Sequence, residues 1–304
     1  MDGTEAPEIL GESEAIQKVR RAVGRLAGSA LPVLIVGEEG TGKQLVARAL
    51  HHASPRNEGA FVALACQDVP RDRAVAELFG GPGAGEEQAV GTAGLMDVAT
   101  HGTLYLEEIS ALDLAAQDRL LPVLASSTED DPRGGTRVIA ATSSELEPLV
   151  TQSLFLPELF RRLSEATIVV PPLRDRGQDV LLFAHRCLRL RAAELGRSAP
   201  TFSPHALEVL GSYPWPGNLP ELNNCLRGVV TSLKGDTIEV PDFPGPVRTW
   251  LQGGAKHLRP IAAVEAEHIR NVLAVVGGNK SRAAEILGIS RKTLREKLKQ
   301  DIRS

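Results

Sequence analysis

Aromatic residues are scarce: seven Phe, two Trp and two Tyr make up 4% of the 304 residues. That argues against the stacking platforms on which proteins hold single-stranded nucleic acid. The three cysteines, Cys66, Cys187 and Cys225, are widely separated and form neither a CxxC pair nor a Cys/His ligand cluster. A reducing cytoplasm is therefore the default, with buried thiols as the expected role. No uncharged apolar run reaches the roughly 18 residues of a membrane span. The acidic stretch Met1–Glu5 has no apolar core of the kind a signal peptide needs.

A large net charge is also missing, since 34 basic and 38 acidic residues leave −4. The total conceals a division. Between Gly277 and Ser304 stand eight basic residues and three acidic ones, a local +5, so the other 276 residues carry −9. The chain reads as an acidic body with a basic tail, and its length suits about two domains.

What is present is an alternation of short apolar runs with helical patterns. The runs are Leu31–Val36, Phe61–Cys66, Thr103–Leu106, Arg137–Ala141 and Thr167–Val170. They are apolar throughout, as parallel strands covered on both faces are. Strand–helix alternation predicts an α/β fold with a parallel five-stranded sheet. After Pro171-Pro172 the pattern is purely helical: Gln178–Leu195, a helix opened by Ser203-Pro204, and Leu219–Leu233. A Pro/Gly-rich stretch from Pro241 then reads as a linker.

The first strand runs directly into Gly37, Glu38, Glu39, Gly40, Thr41, Gly42, Lys43 and Gln44, and a helix follows. Such a loop turns successive backbone N–H groups toward phosphate oxygens. The helix N-terminus adds its dipole, and a lysine neutralises the β/γ charge. A glycine turn with a chance lysine is the bland alternative, and the strand–loop–helix context opposes it. Gln44 departs from the general motif, which has a hydroxyl for Mg²⁺ at that place. A second strand, Thr103–Leu106, ends in Glu107-Glu108. Acids at a buried strand end are costly unless they face a site. In phosphate-loop proteins one holds Mg²⁺ and another polarises the attacking water.

These motifs, with Ile9–Ser13, Glu77–Gly80, Arg137–Thr142, Pro171–Arg176 and Tyr213–Asn218, resemble the bacterial enhancer-binding proteins, the AAA+ activators of sigma-54 RNA polymerase. The resemblance implies a nucleotide-binding α/β domain over 1–173, a helical lid over 174–240, a linker over 241–260 and a Fis-type helix-turn-helix over 261–304. It implies ATP with Mg²⁺ near Gln44 and Glu107, with no metal held by the protein alone. It also implies hexameric rings and RNA polymerase as a partner. No receiver or sensory domain precedes the nucleotide module, so the chain is either a member lacking one or a shortened form.

Departures from the family pattern crowd one site. The Walker B aspartate is Glu107, with the water-polarising Glu108 kept. The asparagine that restrains this glutamate is Ala65, and the sensor asparagine is Ser143. Of two arginines reaching into a neighbouring subunit, the first is Leu156 and only Arg162 remains; the lid's sensor arginine is Pro220. An arginine finger is worth about 10³–10⁵ in rate. The expected catalytic set is therefore Glu107, Glu108 and Arg162, in a weak or inactive ATPase. The polymerase-contacting Gly-Ala-Phe-Thr-Gly-Ala loop is also missing, since 81–93 contains no Phe.

The basic tail has its own pattern. Asn279–Gly288 reads as a helix with Ala283, Ala284, Ile286 and Leu287 inward. Ser290 caps a second helix, Arg291–Lys299, with Leu294 and Leu298 at i, i+4. Two short helices joined by a glycine-containing turn make a helix-turn-helix. Lys280, Ser281, Arg291, Lys292, Thr293 and Arg295 are the expected contacts to double-stranded DNA. The preceding stretch, Val264–Val276, is expected to dimerise, since one unit reads a half-site. Three readings compete: a DNA-bound regulator whose ATP module hydrolyses poorly, an active ring ATPase opening sigma-54 promoters, and a remodelling enzyme with an incidental tail. The degenerate site favours the first over the second, and the helix-turn-helix spacing opposes the third.

Two tempting ligands read as structural. His51-His52 has no acidic or cysteine partner at metal-ligand spacing, and Trp215 between two prolines reads as a packing anchor.

Overall fold

The computed structural model describes residues 7–81, 93–126, 135–233 and 235–250, and in the C-terminal part 269, 272, 280–291, 293, 294 and 297. These fall into two compact units, Met1–Pro244 and Gly245–Ser304.

The first unit is built on β1 (Val33–Val36), β2 (Phe61–Ala65), β3 (Thr103–Glu107), β4 (Arg137–Thr142) and β5 (Thr167–Val169). All pair in parallel, in the order β2-β3-β4-β1-β5. Successive side chains alternate between sheet faces. Leu34, Leu104, Leu106, Val138 and Ala140 therefore pack on one side, under α3 (Ala74–Phe79), α5 (Leu114–Ser126) and α7 (Pro157–Leu163). Val33, Ile35, Tyr105, Ile139 and Ile168 pack on the other, under α1 (Glu14–Leu26) and α2 (Lys43–His52). Short helices α4 (Leu95–Val98) and α6 (Leu146–Thr151) complete the layers. The five expected strands are present, with ends differing by one or two residues. The largest shift is in β1, which begins after Pro32, a residue with no N–H to give a ladder.

Buried Arg137 joins the layers. Its guanidinium donates to the carbonyls of Ala27 (3.2 Å) and Leu26 (2.7 Å), satisfying the open end of α1. Burial pulls its pKa down to about 10.

Beyond Pro171 come α8 (Asp179–Glu194), α9 (Pro204–Ser212) and α10 (Asn218–Ser232). The expectation of an all-helical lid needs one correction. β6 (Thr201–Phe202) and β7 (Thr237–Ile238) form a small parallel pair. Two-residue strands are too short to display any period. The stretch read as a linker from 241 also begins with structure: a 3₁₀ turn at Val240–Asp242, buried Phe243, and α11 (Gly245–Arg248). Ser203 caps α9 by accepting from the Ala206 N–H at 3.3 Å, with Pro204 in the first turn. We expect Ser203→Ala to lower stability by about 1 kcal/mol, read as a shifted urea midpoint at unchanged slope.

The second unit shows α12 (Lys280–Ile286). Leu287 and Ile289 donate back to Ala283 and Ala284, and Gly288 takes the left-handed φ of +65° that ends such helices. Ser290 Oγ then accepts from Thr293 N–H at 3.0 Å, and Leu294 N–H donates to Ser290 C=O, opening the next helical turn. Ile269, Ala283, Ala284 and Leu294 form its small core.

Candidate functional site

The phosphate loop leaves β1 at Val36 and closes on α2. Gly37 N–H donates to Thr142 C=O (3.1 Å), tying the loop's start to β4. Gly40 has φ +74°, and a Cβ there would lie 2.7 Å from Pro220 Cδ, so only glycine fits both backbone and space. Thr41 Oγ1 donates to Glu38 C=O at 2.7 Å, and its N–H closes loosely on the same oxygen at 3.4 Å.

Lys43, 5% exposed, lies along this loop. Its ammonium donates to the carbonyls of Gly37 (2.9 Å) and Glu38 (3.3 Å) and pairs with Glu108 Oε1 at 3.0 Å. Glu108 follows the end of β3 in a left-handed conformation, φ +50°. Its other oxygen accepts from the N–H (2.8 Å) and hydroxyl (2.9 Å) of Ser143, at the end of β4. Glu107 ends β3 opposite Ala65 of β2, whose methyl offers no hydrogen bond.

These strand ends, the loop and lid helices α8 and α10 enclose a cleft of about 860 Å³. The core contributes Gly42, Lys43, Gln44, Glu107, Glu108 and Ser143; the lid contributes Phe183, Cys187, Leu219 and Pro220. Lys43 is the one cationic side chain among the described residues that line it, against the carboxylates of Glu39, Glu107 and Glu108. The loop residues Gly37 to Gln44 and the two glutamates are thus brought together. Arg162 is not: it lies half-exposed on α7, with Nε 3.5 Å from Glu158 Oε1, outside the cleft lining. Leu156, at the N-cap of α7, donates its N–H to Gln117 Oε1 at 2.8 Å.

The outer side of the loop carries contacts that sequence reading gave no role. Glu38 is gripped by both Nη atoms of Arg174, which hold its carboxyl below the usual range. Arg176 is buried, donates to the carbonyls of Thr41 (2.6 Å) and Pro171 (2.8 Å), and is drawn down to about 10 by that burial. Asn218, fully buried with φ +49°, donates to Glu39 C=O (2.9 Å) and Glu38 Oε2 (3.3 Å) and accepts from Leu173 N–H (2.8 Å). Both arginines and this asparagine lie inside motifs quoted above, so the signal was present without a geometry to interpret it. Asp179 was likewise passed over: it accepts from Glu12 N–H (2.6 Å) and from Ser13 Oγ (2.6 Å), pinning the Ile9–Ser13 motif to the start of α8.

His51 is occupied by Thr103 Oγ1 at 2.8 Å, and burial lowers its pKa. Trp215 is 1% exposed and donates to Leu210 C=O at 2.9 Å, an anchor for the lid turn. In the second unit Lys280 and Arg291 are exposed, and Thr293 is half-buried beside the Ser290 cap. Ser281 belongs to α12, while its side chain, Lys292 and Arg295 lie outside the described residues, as do 82–92 and the expected dimerisation helix apart from Ile269 and Val272.

A strand–loop–helix phosphate cradle below an acid-tipped parallel strand, closed by a helical lid, defines a phosphate-loop module of AAA+ type. Residues 9–169 match the family model for the sigma-54 interaction domain, 174–257 the AAA+ ATPase lid domain, and 260–300 the Fis family of bacterial regulatory proteins. The chain is 36% identical to the DNA-binding transcriptional regulator NtrC of Salmonella typhimurium, over 96% of this chain and 70% of that one. It is also 36% identical to the regulatory protein AtoC of Escherichia coli, over 96% and 67%. Among solved structures, NtrX from Brucella abortus matches in its ATP complex with TM-score 0.72 and 28% identity, covering 96% of this chain and 69% of that one. Its ADP complex matches with TM-score 0.70 and 27% identity, covering 97% and 69%. The chain belongs to the sigma-54-dependent enhancer-binding proteins: it is a transcriptional regulator that joins an AAA+ module to a Fis-type DNA-binding helix-turn-helix. No described helix is long and apolar enough to cross a membrane.

Proposed function

We propose that the protein is a DNA-bound regulator whose AAA+ module binds ATP and assembles, but hydrolyses weakly or not at all. The observation that carries this reading is that Lys43 is the one cationic side chain among the described residues lining the cleft, which also include Glu39, Glu107 and Glu108. Phosphoryl transfer depends on several positive charges around the transferred group. Here Pro220 and Leu156 occupy two of the three positions from which family arginines supply them, and only Arg162 remains.

Nucleotide binding asks less. The cleft volume is within the range of small-ligand sites. The glycine loop, the N-terminus of α2 and buried Lys43 suit a polyphosphate. Gln44 and Glu107 line the cleft with oxygen donors, the ligand type Mg²⁺ takes. Bound Mg²⁺ would neutralise phosphate charge there. Lys43 would exchange Glu108 for phosphate oxygens, and Ser143 would keep the freed carboxylate in place.

The parts proposed are a nucleotide module over 1–173, a lid over 174–240, a linker over 241–260 and a DNA reader over 261–304. Lys280, Ser281, Arg291, Lys292, Thr293 and Arg295 face DNA, the reader dimerises, and the nucleotide module forms a ring. Without a Phe-Thr loop the usual grip on RNA polymerase is lost. The second reading, an active ATPase opening sigma-54 promoters, draws on the retained Glu108 and Arg162 and on the carboxylate that Glu107 still supplies.

ATP affinity and turnover, measured on the purified chain with and without DNA, separate the two. We expect saturable ATP binding with turnover far below the ~1 s⁻¹ at the slow end of ordinary enzymes. Turnover at or above that rate, or open-complex formation on a sigma-54 promoter, overturns the weak-hydrolysis reading.

A further inference from the structure

Three successive carbonyls of the phosphate loop are held from outside it. Glu39 C=O accepts from Asn218 Nδ2 at 2.9 Å, Gly40 C=O from Leu219 N–H at 3.2 Å, and Thr41 C=O from Arg176 Nη2 at 2.6 Å. None of these donors belongs to the core sheet. Asn218 and Leu219 open lid helix α10, and Arg176 lies in the 3₁₀ connector between β5 and α8. The peptide unit is planar, so fixing a carbonyl fixes the next N–H. The three bonds therefore set the directions of the Gly40, Thr41 and Gly42 N–H groups, the kind of successive donors an anion nest uses; the Thr41 N–H, 3.4 Å from Glu38 C=O, is only loosely engaged.

We propose that this outer clamp holds the loop in its phosphate-binding shape, with Asn218 as its positioning residue. The lid then senses phosphate through the backbone of the loop instead of through a side chain on the nucleotide. Asn218 is suited to the part. It is 0% exposed, and both ends of its amide are used, Oδ1 by Leu173 N–H and Nδ2 by Glu39 C=O and Glu38 Oε2. Asparagine also tolerates the left-handed backbone found there, φ +49°. Beside it, Pro220 packs against Gly40 and adds shape without charge. Phosphate binding that tightens the loop favours the docked lid, and by linkage a docked lid favours phosphate.

The inference rests on the reading of this cleft as a nucleotide site. Two variants keep the left-handed backbone comfortable: Asn218→Asp, which replaces the donor by a carboxylate that also opposes Glu38, and Asn218→Gly, which loses the whole amide. Titrating ADP and AMP against each, beside a thermal midpoint without nucleotide, gives the test. The nest serves the phosphate chain beyond the first group. ADP should therefore bind about tenfold more weakly in both variants, the equivalent of one lost hydrogen bond of about 1.4 kcal/mol, with AMP binding changed less than about twofold. A lid that merely unfolds would weaken AMP equally and lower the midpoint, and that result overturns the clamp, as does undiminished ADP affinity. Failure of the unsubstituted chain to bind either ADP or ATP defeats the nucleotide reading itself and the clamp with it.

Discussion

Lys43→Ala raises the dissociation constant for ATP by about 10²–10³. Truncating one partner of a buried, hydrogen-bonded charge pair costs about 2–5 kcal/mol, largely because the remaining charge is left unpaired. Here that remaining charge is the polyphosphate, and among the described cleft residues no second cation stands by to take over. The free protein changes less, because the same substitution leaves Glu108 its two bonds from Ser143. Isothermal titration with ATP, set beside the thermal midpoint of the free variant, reads both effects. An affinity within threefold of the parent chain removes Lys43 from the phosphate site.

The second large effect is a gain. Leu156→Arg combined with Pro220→Arg returns a guanidinium to each of the two vacated positions, and we expect phosphate release at saturating ATP to rise by about 10². One arginine finger is worth about 10³–10⁵ in its native setting. The smaller figure allows for Glu107, Ala65 and Ser143, which stay unrestored. Leu156 is half-buried, and its N–H bond to Gln117 survives the exchange, so α7 keeps its start. Pro220 lies in the first turn of α10, where a missing N–H costs nothing and a new one meets solvent or the Gly217 turn. Unchanged turnover in an assembled double variant traces the proposed slow hydrolysis to the acid pair itself, not to the two missing arginines.

The parallel sheet was legible because buried strands announce themselves as unbroken apolar runs, and Leu31–Val36 is such a run, its strand beginning only two residues later at Val33. The phosphate loop was legible because its glycines, lysine and flanking elements are contiguous. What escaped was everything made by contact between distant segments. Asp179 reads as an ordinary acidic residue at a helix start, and its role depends on Ser13, 166 positions away. Arg176 closes the Pro171–Arg176 motif with no role of its own in the sequence, yet it is 2% exposed and spends its donors on backbone carbonyls. The β6–β7 pair was invisible because Thr201-Phe202 and Thr237-Ile238 are shorter than any repeat. The helix-turn-helix was read from a local code of cap, glycine and apolar spacing, and Ser290, Gly288 and Leu294 lie as that code requires.

The order of strands across the sheet also governs when the phosphate loop can exist at all. β1 carries the loop, yet it pairs on one side with β4 and on the other with β5: Val33 meets Ile139, and Leu34 meets Thr167. A ribosome adding about 5–20 residues per second takes roughly 5–20 s to travel from β1 to the end of β4. During that interval the most apolar strand of the molecule has neither neighbour. Pairings this distant also close slowly once both strands are available. The segment that carries the phosphate loop is thus among the first to emerge and among the last to be sheltered.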